Sequence, residues 1–183
     1  MHRWLASLVV ALVLAPSDPI LADQSDPRLN DLFARLLATQ DPSESRSIEQ
    51  SIWEIWLTTD DEVLDGHMQR GVRAMNEGNA KNALRELDAL VAAAPQFAEG
   101  WNKRATLYWM IGDFEASVRD IDQTLALEPR HFGALSGLAL IREAQGRAFE
   151  ALEALSRVLE VHPHLPHLQQ RIDRLSDGLG EAI

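Results

Sequence analysis

Apolar side chains recur every three or four residues along most of the chain, which is the spacing of one face of an α-helix. Near the start, such stripes consist of Leu29, Leu32, Phe33, Leu36 and Leu37, and then of Ile48, Ile52, Ile55 and Trp56. Towards the end they consist of Ala151, Leu152, Leu155, Val158 and Leu159, and then of Leu165, Leu168, Ile172, Leu175 and Leu179. Pro27 stands at the start of one predicted helix, and Pro42 breaks the chain before the next. The pattern predicts an all-α fold.

Small and turn-forming residues repeat with a period of 34 positions. The four recurring sets are Gly71, Ala105 and Ala139; Gly78, Gly112 and Gly146; Ala83, Ser117 and Ala151; and Pro95, Pro129 and Pro163. The glycines fall where a helix must end, and the prolines separate one unit from the next. The small residues allow two helices to cross closely. The period therefore predicts three helical hairpins at 64–97, 98–131 and 132–165, which is a size typical of stacked repeats.

These units resemble the tetratricopeptide repeat, whose pattern places Trp, Gly, Tyr, Ala, Phe and Pro at fixed offsets. Unit 98–131 matches through Trp101, Ala105, Tyr108, Gly112, Phe114, Ser117 and Pro129, although Arg104 stands where an apolar residue is usual. The other two units keep the spacing but replace the Trp by His67 and Leu135, and the Tyr by Ala74 and Arg142. The resemblance covers residues 64–165 and implies a right-handed α-solenoid of three hairpins with a concave groove. In outline the chain is similar to small exported tetratricopeptide-repeat proteins of Gram-negative bacteria.

Residues 1–22 carry the pattern of an export signal. A short basic start precedes an apolar run of 12 residues from Trp4 to Ala15. That run is shorter than the roughly 20 residues that span a bilayer as a helix. We predict cleavage after Ala22 and an exported, periplasmic mature chain without a stable membrane span. An uncleaved signal that holds the protein at the membrane is the alternative. The chain has no cysteine, so neither a lipid-modified cysteine nor a disulfide is expected.

Residues 23–63 carry two helical stripes but do not match the repeat pattern, so they predict a divergent N-terminal hairpin. Its expected role is to cap the first end of the stack by packing against the first helix of the first unit. Trp53, Trp56 and Leu57 widen the apolar arc beyond one helical face. A hydrophobic patch for a partner, or for a second copy of the chain, therefore stays open as the alternative. Residues 166–183 predict an amphipathic helix that caps and solvates the other end.

The chain is acidic, with a formal net charge of −11 and a pI of about 4.9. This balance argues against binding to nucleic acid or to anionic lipid headgroups, both of which attract basic patches. Neither a phosphate-binding loop nor a Gly-x-Ser-x-Gly motif occurs. His162, His164 and His167 lie at a repeat junction, without a spaced carboxylate or cysteine to complete a metal site. We expect no enzyme activity, no cofactor and no metal.

By resemblance to the family, the unstacked side chains of the first helix in each unit line the concave groove. The expected partner-binding residues are Met68, Gln69, Val72, Asn102, Lys103, Thr106, Trp109, Met110, Ser136 and Leu140. Methionines beside an aromatic residue suit an adaptable surface for a peptide. Family members that clamp a C-terminal carboxylate use several Lys, Arg and Asn residues, and here only Lys103 and Asn102 resemble them. Such a clamp is not expected.

The sequence thus predicts an exported, non-catalytic adaptor or scaffold that binds a protein or peptide partner in its concave groove. Two alternatives stay open. The first is a structural module that self-associates into a homo-oligomer through Trp53, Trp56 and Leu57. The second is that Trp109 and the groove methionines pack against the N-terminal hairpin, which would fill the groove from within.

Overall fold

The computed structural model describes residues 24–180, so the predicted signal peptide at 1–22 lies outside the described residues. The regular elements of the described part are all helices. They are α1 (Arg28–Ala38), α2 (Pro42–Leu57), α3 (Glu62–Asn76), α4 (Ala80–Ala93), α5 (Ala98–Met110), α6 (Phe114–Leu127), α7 (Phe132–Ala144), α8 (Ala148–Val161) and α9 (Leu168–Gly180). Within residues 24–180, no helix has the length and apolar character needed to cross a membrane.

The three predicted repeat units are helical hairpins stacked in chain order. α3 packs against α4, α5 against α6 and α7 against α8, and adjacent units meet through α4 with α5 and α6 with α7. Each hairpin turns at a glycine with positive φ, which is 69° in Gly78, 82° in Gly112 and 71° in Gly146. Glycine adopts this left-handed backbone conformation at low cost. The prediction that these glycines end the first helix of each unit is therefore confirmed.

The recurring small residues bring the two helices of a unit close together. A Cβ atom added to Gly71 of α3 would lie 3.0 Å from Leu87 of α4, which is tighter than an ordinary contact. In the next unit, Ser117 Oγ of α6 donates a hydrogen bond to the Ala105 carbonyl of α5 at 2.8 Å. Larger side chains at these positions would force the hairpins apart.

An arginine of the first helix pairs with a carboxylate of the second helix at equivalent positions of two units. Arg104 Nε lies 2.7 Å from Asp120 Oδ2, and Arg104 Nη1 lies 2.8 Å from Asp88 Oδ1 of the preceding unit. At the equivalent positions of the first unit, Arg70 Nε lies 2.9 Å from Glu86 Oε2. The paired carboxylates explain why Arg104 can stand where the repeat pattern has an apolar residue.

Glu86 gathers three cationic or hydrogen-bonding partners at the first end of the stack. Arg70, Arg85 and His67 each lie 2.9 Å from its carboxylate. Their hydrogen bonds, with Arg70 contributing most, lower the pKa of Glu86 to about 2. The outer face of the first unit is therefore charged, and such a face solvates the end of a repeat stack without a further helix.

The N-terminal hairpin does not cap the first end of the stack. α2 packs against α5 and α1 packs against α8, so the hairpin covers one end of the concave groove. The expectation that it packs against the first helix of the first unit is wrong. The reason is that the end of the first unit is charged, whereas the last unit presents apolar side chains that match the widened apolar arc of the hairpin.

The largest apolar cluster among residues 24–180 joins the hairpin to the last unit. Its hairpin members are Leu29, Phe33, Leu36, Ile48, Ile52, Ile55 and Trp56, and its other members are Phe132, Leu135, Ala139, Ala154, Leu155, Val158 and Leu168. The C-terminal helix α9 packs against α8 and brings Leu168 into this cluster. The hairpin is thus part of the folded core and leaves only part of the groove open.

Candidate protein-interaction groove

A cleft of about 220 Å³ lies between α5 and α7 on the concave side of the stack. Five of the predicted groove residues line it, namely Asn102, Thr106, Trp109, Ser136 and Leu140. Its other lining residues are Ala105, Ser117, Ile121, Gly133, Ala134, Gly137 and Ile141. The space is open because small residues stand where α5, α6 and α7 face one another.

The polar groups of the cleft are largely engaged within the chain. Thr106 Oγ1 donates to the Asn102 carbonyl at 2.9 Å, and Ser117 Oγ donates to the Ala105 carbonyl at 2.8 Å. None of the lining side chains is charged. An apolar side chain can therefore enter the cleft without leaving a buried charge unpaired, whereas a charged side chain would lose its hydration without gaining a partner.

The other predicted groove residues do not join this cleft. Met68, Gln69 and Val72 line a separate depression on α3 together with Leu57 of the hairpin. Met68 is only 6% exposed and belongs to the core of the first unit, so the expectation of an accessible side chain there is wrong. Met110 is 51% exposed and follows Trp109 at the end of α5. The hairpin thus divides the predicted groove into separate surfaces.

Glu99 of α5 is a buried carboxylate below one end of the cleft. Lys103 Nζ lies 2.8 Å from Glu99 Oε1, His131 Nε2 lies 3.0 Å from Glu99 Oε2, and Asn102 Nδ2 donates to Glu99 Oε2 at 2.8 Å. Burial by itself raises the pKa of Glu99, but the hydrogen bond from His131 and the charge of Lys103 outweigh it and hold the pKa below its ordinary value. Lys103 Nζ and Asn102 Nδ2, which were expected to contact a partner, thus each contact Glu99 within the chain.

Two tryptophans of α2 pack against the residues that surround this buried carboxylate. The Trp56 ring stacks on the His131 ring with their centroids 4.2 Å apart and their planes at 9°. Trp53 lies edge-on to His131 with a centroid distance of 5.6 Å, and Lys103 Nζ lies 5.6 Å from the Trp53 ring centroid. The sequence does not predict this role of His131, because nothing in the 34-residue period links it to Glu99 or to α2.

The burial of these tryptophans bears on the two alternatives left open by the sequence. Trp56 is 1% exposed, so the expectation that it mates two copies of the chain is wrong, and of the three residues proposed only Leu57 is well exposed, at 41%. The hairpin does fill one end of the groove, but through Trp53 and Trp56. If the hairpin filled the groove, Trp109 was expected to pack against it. Trp109 is instead 43% exposed.

Residues 68–118 and 102–166 match the family model of the tetratricopeptide repeat, and together they span more than half of the 183-residue chain. The chain belongs to the tetratricopeptide-repeat family. A TPR repeat-containing protein of Rhizobium etli is 36% identical over 152 residues, which is 83% of this chain and 74% of that protein. Small glutamine-rich tetratricopeptide repeat-containing protein 2 of Saccharomyces cerevisiae is 25% identical over 128 residues, which is 70% of this chain and 37% of that protein.

Solved structures of tetratricopeptide-repeat proteins share the fold. The first TPR of Spaghetti (RPAP3), bound to the HSP90 peptide SRMEEVD, superposes with a TM-score of 0.62 at 21% identity, over 66% of this chain and 96% of that one. A crystal structure of MamA gives 0.61 at 19% identity, over 76% and 80%. The TPR2B domain of yeast Sti1, in its pHsp70 complex, gives 0.58 at 18% identity, over 64% and 99%. The predicted α-solenoid is confirmed, and this family generally serves as a non-catalytic scaffold for protein interactions.

His162 of this tetratricopeptide-repeat protein lies between the last repeat and the hairpin. In the part of the chain that the structure describes, no three His, Asp or Glu side chains are placed to hold a metal ion. His162, at the end of α8, is buried against Phe132, and its Nε2 lies 3.3 Å from Glu49 Oε2 of α2. Burial lowers the pKa of His162. His162 thus joins the last repeat to the hairpin.

Two glycines of α7 give a matched pair of substitutions. Gly133→Ala would place a Cβ atom 2.8 Å from Trp53 Cη2, so we expect a destabilisation of about 1–3 kcal/mol as the ring is displaced. Gly137→Ala would meet only Ile121 Cδ1 at 3.7 Å, so we expect the better helix former to stabilise the protein by about 0.5–1 kcal/mol. Chemical denaturation measures both changes. Equal changes of the same sign would contradict the position of Trp53 on α7.

Proposed function

We propose that the protein is an exported, non-catalytic adaptor that binds a protein or peptide partner in the cleft between α5 and α7. The observation that carries this proposal is an open, uncharged cleft whose rim residues Trp109 and Leu140 are 43% and 42% exposed. Tryptophan is enriched at the positions where interfaces concentrate their binding energy. Burial of one partner side chain of Leu or Phe size there would contribute roughly 1.5–3 kcal/mol before ordering costs.

The structural neighbours support a peptide as the kind of partner, since one of them is bound to an HSP90 peptide and another is in a complex with pHsp70. The peptide SRMEEVD is acidic at its end, and binding such an end calls for free cations. Here Lys103 is paired with Glu99 and Arg104 with Asp120. We therefore propose a partner that enters the cleft through apolar contacts instead of through a carboxylate clamp.

Gly137→Leu is expected to abolish partner capture without unfolding the protein. Gly137 lines the cleft and has ordinary space above it, so a leucine side chain would occupy the volume that the partner needs. The matched control is Gly178→Leu on α9, where an added Cβ atom meets nothing within 4 Å. Crosslinking and pull-down from the cell envelope, with the tagged protein and both variants as baits, measures the effect.

The expected result is a protein captured by the wild type and by Gly178→Leu, and lost from Gly137→Leu. Circular dichroism and melting curves establish that all three baits are folded. The same captured proteins on all three baits would contradict the proposed site.

We further propose that this adaptor acts in the periplasm, because residues 1–22 carry the sequence pattern of an export signal. N-terminal sequencing of the protein recovered from the envelope tests the export step. The expected first residue is Asp23. A protein that begins at Met1 would support the alternative of an uncleaved signal.

A further inference from the structure

The cleft between α5 and α7 is closed at one end by the protein's own N-terminal hairpin. The Trp53 ring of α2 lies against Gly133, near the start of α7, where an added Cβ atom would be 2.8 Å from Trp53 Cη2. At the other end of the cleft, Trp109 and Leu140 are 43% and 42% exposed. A bound segment therefore has access from the C-terminal ends of α5 and α7 and stops at Trp53.

The length of the open part limits what can bind. From Asn102 to Trp109, α5 advances by about 10 Å at about 1.5 Å per residue. An extended segment covers that distance in about three residues, at roughly 3.3 Å each. The cleft volume of about 220 Å³ also lies below the range of about 300–1,000 Å³ that is typical of small-molecule sites. One bulky apolar side chain of a bound segment fits this space. Trp53 occupies the position that the segment's next apolar side chain would need.

The charges around the cleft favour a basic segment over an acidic one. Each cation of α5 and α7 is already paired: Lys103 with Glu99 at 2.8 Å, Arg104 with Asp120 at 2.7 Å, and Arg142 with Glu150 at 3.2 Å. The last turn of α5 contains no basic residue, so the partial negative charge at the end of this helix is not compensated there. The chain as a whole carries a formal charge of −11. A Lys or Arg side chain of the partner is therefore stabilised at the open end of the cleft, beside the C-terminal end of α5.

We propose, as a refinement that rests on the adaptor function above, that the partner contributes a short basic segment with a single apolar anchor. One Leu, Ile, Met or Phe side chain fills the cleft, and an adjacent Lys or Arg lies at the open end beside Trp109. The hairpin limits the length of the bound segment, because Trp53 keeps the segment from continuing across the neighbouring repeat. The contact of Trp53 with Gly133 at the end of the cleft and the charge balance around the cleft both support this partner.

Selection of a random dodecapeptide phage library on the purified protein tests this inference. The enriched peptides should share one bulky apolar residue with Lys or Arg within two positions of it. Titration calorimetry with synthetic versions of an enriched peptide then measures how Kd depends on the basic residues and on the number of apolar anchors. Replacing the basic neighbours by Glu should weaken binding about tenfold or more. Adding a second apolar anchor three residues away should change Kd by less than about twofold, because Trp53 excludes it.

Enriched peptides that are acidic, or a two-anchor peptide that binds more than about tenfold more tightly, would overturn the inference. A parallel selection on Gly137→Leu separates this failure from a failure of the adaptor proposal. Peptides enriched equally on both proteins bind outside the cleft and contradict both proposals. Acidic peptides that are lost on Gly137→Leu contradict only the inferred chemistry. If no peptide is enriched while Gly137→Leu still loses its envelope partner, the short-segment inference fails and the adaptor function stands.

Discussion

Trp56→Ala should destabilise the protein by about 3–5 kcal/mol, because it removes the centre of the contact between the hairpin and the repeats. The Trp56 side chain is 1% exposed and stacks on His131. Its ring also lies 5.9 Å from Phe33 and 5.1 Å from Phe132, measured between centroids. The cavity would lie between α2 and α7, where neither helix can close it without losing its other contacts. Urea denaturation followed by circular dichroism measures the change.

The matched control is Trp109→Ala, which deletes the same side chain from a position that is 43% exposed. We expect that variant to lose about 1 kcal/mol or less, since surface positions make few contacts that unfolding would break. Similar losses for the two variants would mean that Trp56 is not buried by the repeats, and the position of the hairpin would then be wrong.

Glu99→Gln should cost about 3–5 kcal/mol, because it removes the buried negative charge that balances Lys103 and accepts a hydrogen bond from His131. Lys103 would keep its position and lose its counter-charge. The matched control is Glu150→Gln, whose carboxylate pairs with Arg142 and Arg147 but is 41% exposed. That exposed pair should be worth less than about 1 kcal/mol. Equal losses would contradict the burial of the Glu99 network.

The same network predicts how stability depends on pH. The pKa of Glu99 is lower in the folded protein than its ordinary value of 4.5, so its contribution is fully present above about pH 4.5 and is lost as the pH falls through the folded pKa. Glu99→Gln should therefore flatten the acid limb of the stability curve. A residual slope should remain, because the pKa of Glu86 is also lowered, to about 2. Denaturation at a series of pH values between 2 and 7 measures both slopes. An unchanged acid limb in Glu99→Gln would contradict the lowered pKa.

The repeat architecture could be predicted from the sequence because each repeat position carries a local physical requirement. Gly78, Gly112 and Gly146 need a left-handed conformation, and that need is visible in one residue type at one period. The apolar stripes of α1 and α2 likewise predicted two helices. They did not specify what those helices pack against, since an apolar face fits any complementary surface. The hairpin packs against the apolar end at Phe132 and not against the charged end around Glu86. Both ends are long-range properties of the fold.

Part of the candidate site could also be predicted, because some of its residues lie at equivalent positions of the repeat. Family resemblance places Trp109 and Leu140 on the concave side, and the structure brings both to the cleft. The pairing of Lys103 with Glu99 is an i,i+4 contact within α5. The burial of Glu99, in contrast, involves His131 and the hairpin, which come from other parts of the chain. Periodicity relates equivalent positions of successive repeats, and these residues are not equivalent. The division of the groove into an open and a closed part therefore had to come from the structure.

Site-specific photo-crosslinking in intact cells shows directly whether a partner binds in the cleft between α5 and α7. A photoreactive phenylalanine analogue replaces Leu140 on the rim of the cleft in one variant, and Phe149 of α8 in a control variant. Phe149 is the more exposed of the two, at 74% against 42%, so accessibility alone would favour crosslinking from the control. We expect a discrete crosslinked partner from position 140 and none from position 149. The same partner from both positions, or a partner from position 149 alone, would contradict binding in the cleft between α5 and α7.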